Sequence, residues 1–239
     1  MQHRNSDNRE PDQIVLPLVD TDEENVVFPL VVNVMTRFWG EELPMEEIEE
    51  KSRQYGNYRG TIFIEGLEII EKKLGLSSII YRGSLDDLKK RLSQGFPVVV
   101  ILPGIGETVQ FATIVNGYDE EEGRVLTYVP EPGSYGAIPV EKFNDEWSQD
   151  DFFSILIFPK DMGKVFEKDI FPFEKSNRLY LESERLKVLG KVQESINLLS
   201  NYLDHGFSED NGKQNPQILC MLAGILNEIN DKRCVELYK

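Results

Sequence analysis

The chain has 239 residues, with 42 Asp and Glu against 26 Lys and Arg, so its formal charge is −16; 40% of residues are apolar and 28% charged. That length fits one large domain or one medium domain with an appendage, and the apolar share is enough to bury a core. The acidity makes nucleic acid and anionic membranes poor partners, because affinity for phosphates comes largely from cationic side chains releasing counterions.

The polar stretch 1–13 reads as a tail, and the short apolar run 14–19, broken by Pro17, reads as an edge strand. Residues 28–39 are apolar on all sides, with Pro29 in the first turn and Gly40 after the last, which predicts a buried central helix. Amphipathic surface helices are expected over 45–55 and 61–74, the second striped by Ile64, Leu67, Ile70 and Leu74 and stopped by Gly75. A short strand at 79–81 leads to a helix capped by Ser84 that runs to Gly95. Four strand-like runs follow at 97–102, 109–116, 124–129 and 152–158, with a hairpin turn at 117–123 and a helix at 140–147. Helices first and an antiparallel sheet afterwards is the order of an α+β domain.

Pro159, Gly163 and Pro172 break the next stretch into a linker over 160–175, packed down by Phe166, Ile170, Phe171 and Phe173. Beyond it two helix pairs alternate with turns at Gly190 and Asn230, which are 230 − 190 = 40 positions apart, as in a repeat.

The chemical inventory is short. The only thiols are Cys220 and Cys234, and the only imidazoles are His3 and His205. Neither a disulfide scaffold nor a structural zinc site is expected, and no metal ligand set is assigned. The two cysteines read as small buried helix contacts. There is no phosphate-binding loop motif, and Gly104-Ile105-Gly106 lacks the third glycine of a dinucleotide fingerprint, so no cofactor is expected. The acidic run at 119–123 lacks ligands at alternate positions and reads as a solvated turn rather than a calcium loop. The absence of a signal-peptide pattern or a run long enough to span a bilayer gives a cytoplasmic expectation.

Five motifs then arrive in order. They are Asn25-Val26-Val27-Phe28-Pro29-Leu30, Arg37-Phe38-Trp39-Gly40, Gln94-Gly95-Phe96-Pro97, Gln110 through Gly117-Tyr118-Asp119, and Val125-Leu126-Thr127-Tyr128-Val129-Pro130. Together they resemble the C39-like cysteine peptidases, which have a papain-like fold. The resemblance implies a helix opening with the nucleophile, a strand opening with histidine, and a next strand ending with the residue that orients it. At those positions this chain has Val27, Gln110 and Val129, with Thr21 or Asp22 at the upstream oxyanion position and Phe28 where the family has glycine. Valine cannot ionise and glutamine cannot shuttle a proton near neutral pH, so every catalytic role is vacant. The family also includes transporter-associated domains that lack the nucleophile and bind secretion substrates. The helix pairs resemble tetratricopeptide repeats, with Leu186, Gly190, Ser195, Leu199 and Tyr202-Leu203 at large, turn, small and large positions and Cys234 at the second small position.

The expected organisation is therefore a tail at 1–13, a C39-like domain at 14–159, a linker at 160–175 and tetratricopeptide-like repeats at 176–239. The function expected is that of a pseudoenzyme binding a protein or peptide partner through the degenerate cleft, marked by Thr21, Val27, Phe28, Gln110 and Val129, or through the repeats. Two alternatives stand beside it: an enzyme using Asp22, Thr127 or Tyr128 in the same cleft, and a structural subunit or homodimer joined through the C-terminal helices.

Overall fold

The structure is a computed structural model that describes residues 12–19, 30–56, 62–103, 110–128, 135–205 and 214–237. Its elements in chain order are β1 (Asp12–Gln13), α1 (Leu30–Phe38), α2 (Met45–Ser52), a 3-10 turn (Arg53–Tyr55), α3 (Phe63–Lys73), β2 (Leu76–Arg82), α4 (Leu85–Ser93) and β3 (Val98–Pro103). They continue with β4 (Gln110–Asp119), β5 (Arg124–Tyr128), β6 (Tyr135–Pro139), α5 (Val140–Gln149), β7 (Phe153–Pro159), a 3-10 segment (Lys160–Phe166) and four helices, α6 (Glu174–Val188), α7 (Val192–His205), α8 (Pro216–Glu228) and α9 (Cys234–Leu237).

The sheet is antiparallel and ordered β2-β7-β3-β4-β5-β6. Its strand β7, flanked by β2 and β3, reads Phe-Ser-Ile-Leu-Ile-Phe and is buried along that whole run. Alternate residues on a strand point to opposite faces, so a continuous apolar run requires cover on both sides. Phe153, Ile155 and Ile157 face one core with Val99, Ile114 and residues of α1 and α3, while Leu156 and Phe158 face a second core with Val98, Val100, Phe143 and Trp147. The fold is α+β, as the order of elements predicts.

Several elements differ from the sequence expectation. The first strand is Asp12–Gln13, not 14–19, because Pro17 has no N–H to give a ladder. It pairs with β4 at Gly117 and Tyr118, past Val98 where the pairing of β3 with β4 begins. The strand β6 was not expected, since Tyr-Gly-Ala-Ile-Pro is short and holds both strand-weakening residues. The helix α3 is more than a surface helix: Ile64, Glu65, Gly66, Leu67, Ile69 and Ile70 are all buried. Cys220 is exposed, correcting its assignment as a buried helix contact, whereas Cys234 is buried.

The stretch after β7 is pinned rather than slack. Phe166 is buried, Phe171 packs beside it, and Ile170 alone of the four expected anchors is exposed. Arg91, 1% exposed and paired within α4 to Asp87, holds it through Asp169, with the guanidinium 4.9 Å from the Phe171 ring centre. Helix α6 then joins the first core through Leu181, Tyr180 and Val188. Its Arg178 reaches Glu71 at 2.6 Å and Ser78 Oγ at 2.7 Å, and its Arg185 reaches Glu68 at 3.0 Å and Glu182 at 2.5 Å.

At the centre of that contact Glu65, 2% exposed, accepts from Tyr55 Oη at 2.5 Å, Lys51 Nζ at 2.8 Å and Arg185 Nη1 at 3.4 Å. Burial and then the Glu65 bond push the Tyr55 phenol well above its ordinary range. Burial works against the charged form of Glu68, but Lys72 and Arg185 outweigh it and hold that carboxyl below its ordinary 4.5. The stability Glu68 contributes is thus complete above that value and lost as pH falls through its lower folded pKa. Arg185→Ala removes the cation shared by three carboxylates while leaving Lys51 and Tyr55 on Glu65. It should cost about 1–3 kcal/mol in denaturant unfolding, with a smaller difference from the parent at acid pH.

Gly83 follows β2 where the chain passes Trp147. A Cβ there would lie 2.7 Å from Ser154 Oγ and 2.9 Å from two Trp147 ring carbons. Both neighbours are buried in a packed core that resists overpacking. Gly83→Ala should therefore lower stability by about 1–3 kcal/mol, seen as a reduced denaturation midpoint with an unchanged slope.

Candidate functional site

Of the five site positions singled out in the sequence, Gln110 is the one among the described residues, and it stands at one end of the sheet. Gln110 opens β4 opposite Pro103, and Tyr128 closes β5 opposite Tyr135. Thr113 Oγ1 donates to the Tyr128 carbonyl at 3.3 Å, which ties the end of β5 to a point three residues inside β4. The antiparallel register thus brings the backbone of Gln110 to the same end of the sheet as the close of β5, directly before Val129. Thr21, Asp22, Val27, Phe28 and Val129 themselves lie outside the described residues, as does Gly104-Ile105-Gly106.

The helix that follows Val27 and Phe28 is fixed at its far end. Glu41 N–H bonds to Thr36 O across Gly40, whose φ of +80° gives the left-handed stop that glycine accepts. Trp39 then donates its indole N–H to the Ile157 carbonyl at 2.7 Å and packs its ring 5.8 Å from that of Phe96. Both partners belong to the end of the sheet where β3 begins, opposite to the end where β4 begins. Nine residues of helix separate Leu30 from that anchor by about 13 Å, and α1 packs against β4.

A strap at 14–19 crosses the same region. The β4–β5 register shifts between Val115 and Gly117, leaving Asn116 at a bulge that re-aims its side chain. Asn116 holds Ile14 twice, its backbone carbonyl accepting from Ile14 N–H at 2.7 Å and its side-chain Nδ2 donating to the Ile14 carbonyl at 2.9 Å. Farther along, Val19 N–H donates to Tyr128 Oη at 3.2 Å, with Leu16 and Val19 buried. Val15 and Leu18 point the other way and are 86% and 49% exposed, an apolar lip on the strap. Thr127 and Tyr128, the residues of the alternative enzyme reading, are both buried, and the Tyr128 hydroxyl serves the strap.

Tyr128→Phe keeps the ring and leaves a buried Val19 N–H without its acceptor. It should cost about 1–3 kcal/mol and raise hydrogen exchange selectively at Val19.

The remaining polar centres were not foreseen. Glu65, Glu68 and Glu71 recur at a spacing of three beside the apolar stripe of α3, and Arg178 and Arg185 recur at a spacing of seven on α6. Those two periodicities are a legible sign of two helices meeting along a charged seam, and they mark structure rather than reaction chemistry. Among the described residues no group of three or more His, Cys, Asp or Glu is placed to hold a metal ion, and no helix is long and apolar enough to cross a membrane.

The geometry defines an α+β domain with helices on both faces of an antiparallel sheet. No family model and no curated protein matches the chain. Among solved structures it is similar to the peptidase domain of Streptococcus ComA, a bi-functional ABC transporter involved in a quorum sensing pathway. The identity is 22% and the TM-score 0.44, over 61% of this chain and 98% of that one. It is also similar to the peptidase domain of Streptococcus mutans ComA at 19% identity and a TM-score of 0.29, over 39% of this chain and 72% of that one.

Proposed function

We propose that the chain is a papain-like frame that has lost peptide hydrolysis and retains the holding of a protein or peptide partner. The observation that supports this reading is that β4 opens at Gln110 on the same sheet end where β5 closes, in a chain whose only thiols belong to α8 and α9. Hydrolysis by such a frame needs a thiolate at a helix N-terminus, a proton-exchanging imidazole beside it and a group to orient the imidazole. Val27, Gln110 and Val129 supply none of the three, and glutamine offers only hydrogen bonds of the kind that fix an extended backbone.

Division of labour follows from the same reading. The domain over 14–159 contributes the cleft and its apolar lip, and the helices over 176–239 contribute a tetratricopeptide-like stack. Gly190 and Asn230 both take left-handed φ, at +73° and +57°, and the small residues Ser195 and Cys234 are both buried, which supports two related units. A charge of −16 favours a partner bearing Lys or Arg.

The test restores what is missing. The parent chain should cleave no fluorogenic peptide above buffer; hydrolysis that persisted in Cys220→Ser/Cys234→Ser would overturn the reading. In Val27→Cys the introduced thiol should alkylate as an ordinary thiol, and adding Gln110→His should shift its pH–rate profile to lower pH as an imidazolium forms beside it. Two profiles that coincide would mean that the positions are not neighbours, and the inferred ancestry would fall. Selection of displayed peptides on the full chain should enrich basic sequences that bind less tightly at higher salt, and the absence of any enrichment would count against partner binding.

A further inference from the structure

One arginine outside the candidate cleft joins four separate parts of the chain. Arg82 is the last residue of β2. Its backbone N–H donates to the Pro172 carbonyl at 3.0 Å, just before α6. Its guanidinium lies 4.4 Å from the Phe173 ring centre, pairs with Asp151 at 2.9 Å after α5, and donates from Nη2 to Asn215 Oδ1 at 2.6 Å at the start of α8. Asn215 is fully buried and caps α8 by accepting from Gln217 N–H at 3.1 Å; its Nδ2 donates to Ser176 Oγ at 2.9 Å and Asn177 Oδ1 at 3.0 Å on α6.

Backbone conformation makes the junction unusual. Asp151, Phe152 and Phe173 have φ of +55°, +57° and +60°, a left-handed region that side chains with a Cβ seldom adopt. All three sit at this junction. Asp151 and Phe173 touch Arg82 directly, and the Phe152 carbonyl accepts from Gly83 N–H at 2.9 Å. Turns of that kind persist only where surrounding contacts over-determine them.

We infer that Arg82 is a conformational latch: its grip on Asp151, Phe173 and Asn215 couples the seating of α8 and α9 to the α+β domain. The rest of the interface divides differently. Helix α6 is held independently by Arg178, Arg185 and Leu181, so it remains docked when the latch is released. The pair α8–α9 has its own core with α7, through Ile218, Leu222, Ile225 and Cys234, and touches α6 at Leu179 and Tyr180, while the Arg82–Asn215 bond is the direct side-chain tie from β2 to the start of α8. Release therefore loosens the last two helices as a unit, without melting the domain.

Hydrogen exchange on the full chain tests this. In Arg82→Ala, amides of α8 and α9 should exchange at least about tenfold faster, the scale of one lost charge-assisted hydrogen bond. Those of β3, β4 and β7 should be unchanged. Arg82→Lys should fall between, because an ammonium keeps the charge toward Asp151 but lacks the planar guanidinium that lies over Phe173. Asp151→Asn keeps a residue type that tolerates the left-handed turn while withdrawing the charge from Arg82 and leaving Asn215 intact, so it should show the same local effect in smaller measure even if the alanine variant folds poorly. Exchange that rose equally in the central strands and in α8 would show a merely structural role and overturn the latch. So would unchanged exchange in α8.

Discussion

A carboxylate shut away from water must be met by donors and cations, and Glu65 is met from two directions. Lys51 and Tyr55 come from the α2 region, and Arg185 comes from a helix 120 positions away in sequence. Coulombic attraction in the interior rewards such pairing only when the geometry satisfies every partner. Here Arg185 serves Glu65, Glu68 and Glu182 at once, so α6 has a defined position on α3. The consequence reaches the whole molecule: the helices that follow the sheet are built onto it, and the surface they offer is oriented relative to the end where β4 begins.

That attachment changes the meaning of the boundary drawn from sequence. Proline and glycine spacing marks 160–175 as a connector, and its backbone is irregular. Yet Phe166 and Phe171 enter the second core and α6 enters the first, so the break in regular structure is not a break in packing. A connector read from punctuation says where helices stop and is silent on what the intervening aromatics touch.

The class of fold was legible because local patterns suffice for it. The Ile-Leu-Ile-Phe run of β7, the striped α3 and the Ser84 cap all read directly from residue type and spacing. What was not legible depends on distant partners. Residues 14–19 look like a strand, but Pro17 and the capture of Ile14 by a bulged Asn116 make them a strap; β6 forms although its composition disfavours it, because β5 offers an edge. Cys220 was assigned to the interior by its type and lies on the exposed side of α8. For the candidate site, the antiparallel order of β4 and β5 puts the start of one and the close of the other at the same sheet end, whereas the role of Tyr128 as acceptor for Val19 had no local sign.

The pairing of Asp12 with Tyr118 and of Val19 with Tyr128 has a further consequence in time rather than space. Synthesis proceeds from the N-terminus, so the strap emerges more than a hundred residues before the strands that receive it. Loop closure over such a span is entropically slow, and its reward comes late. The strap thus waits for the face that receives it, which is completed only after β5 has left the exit tunnel.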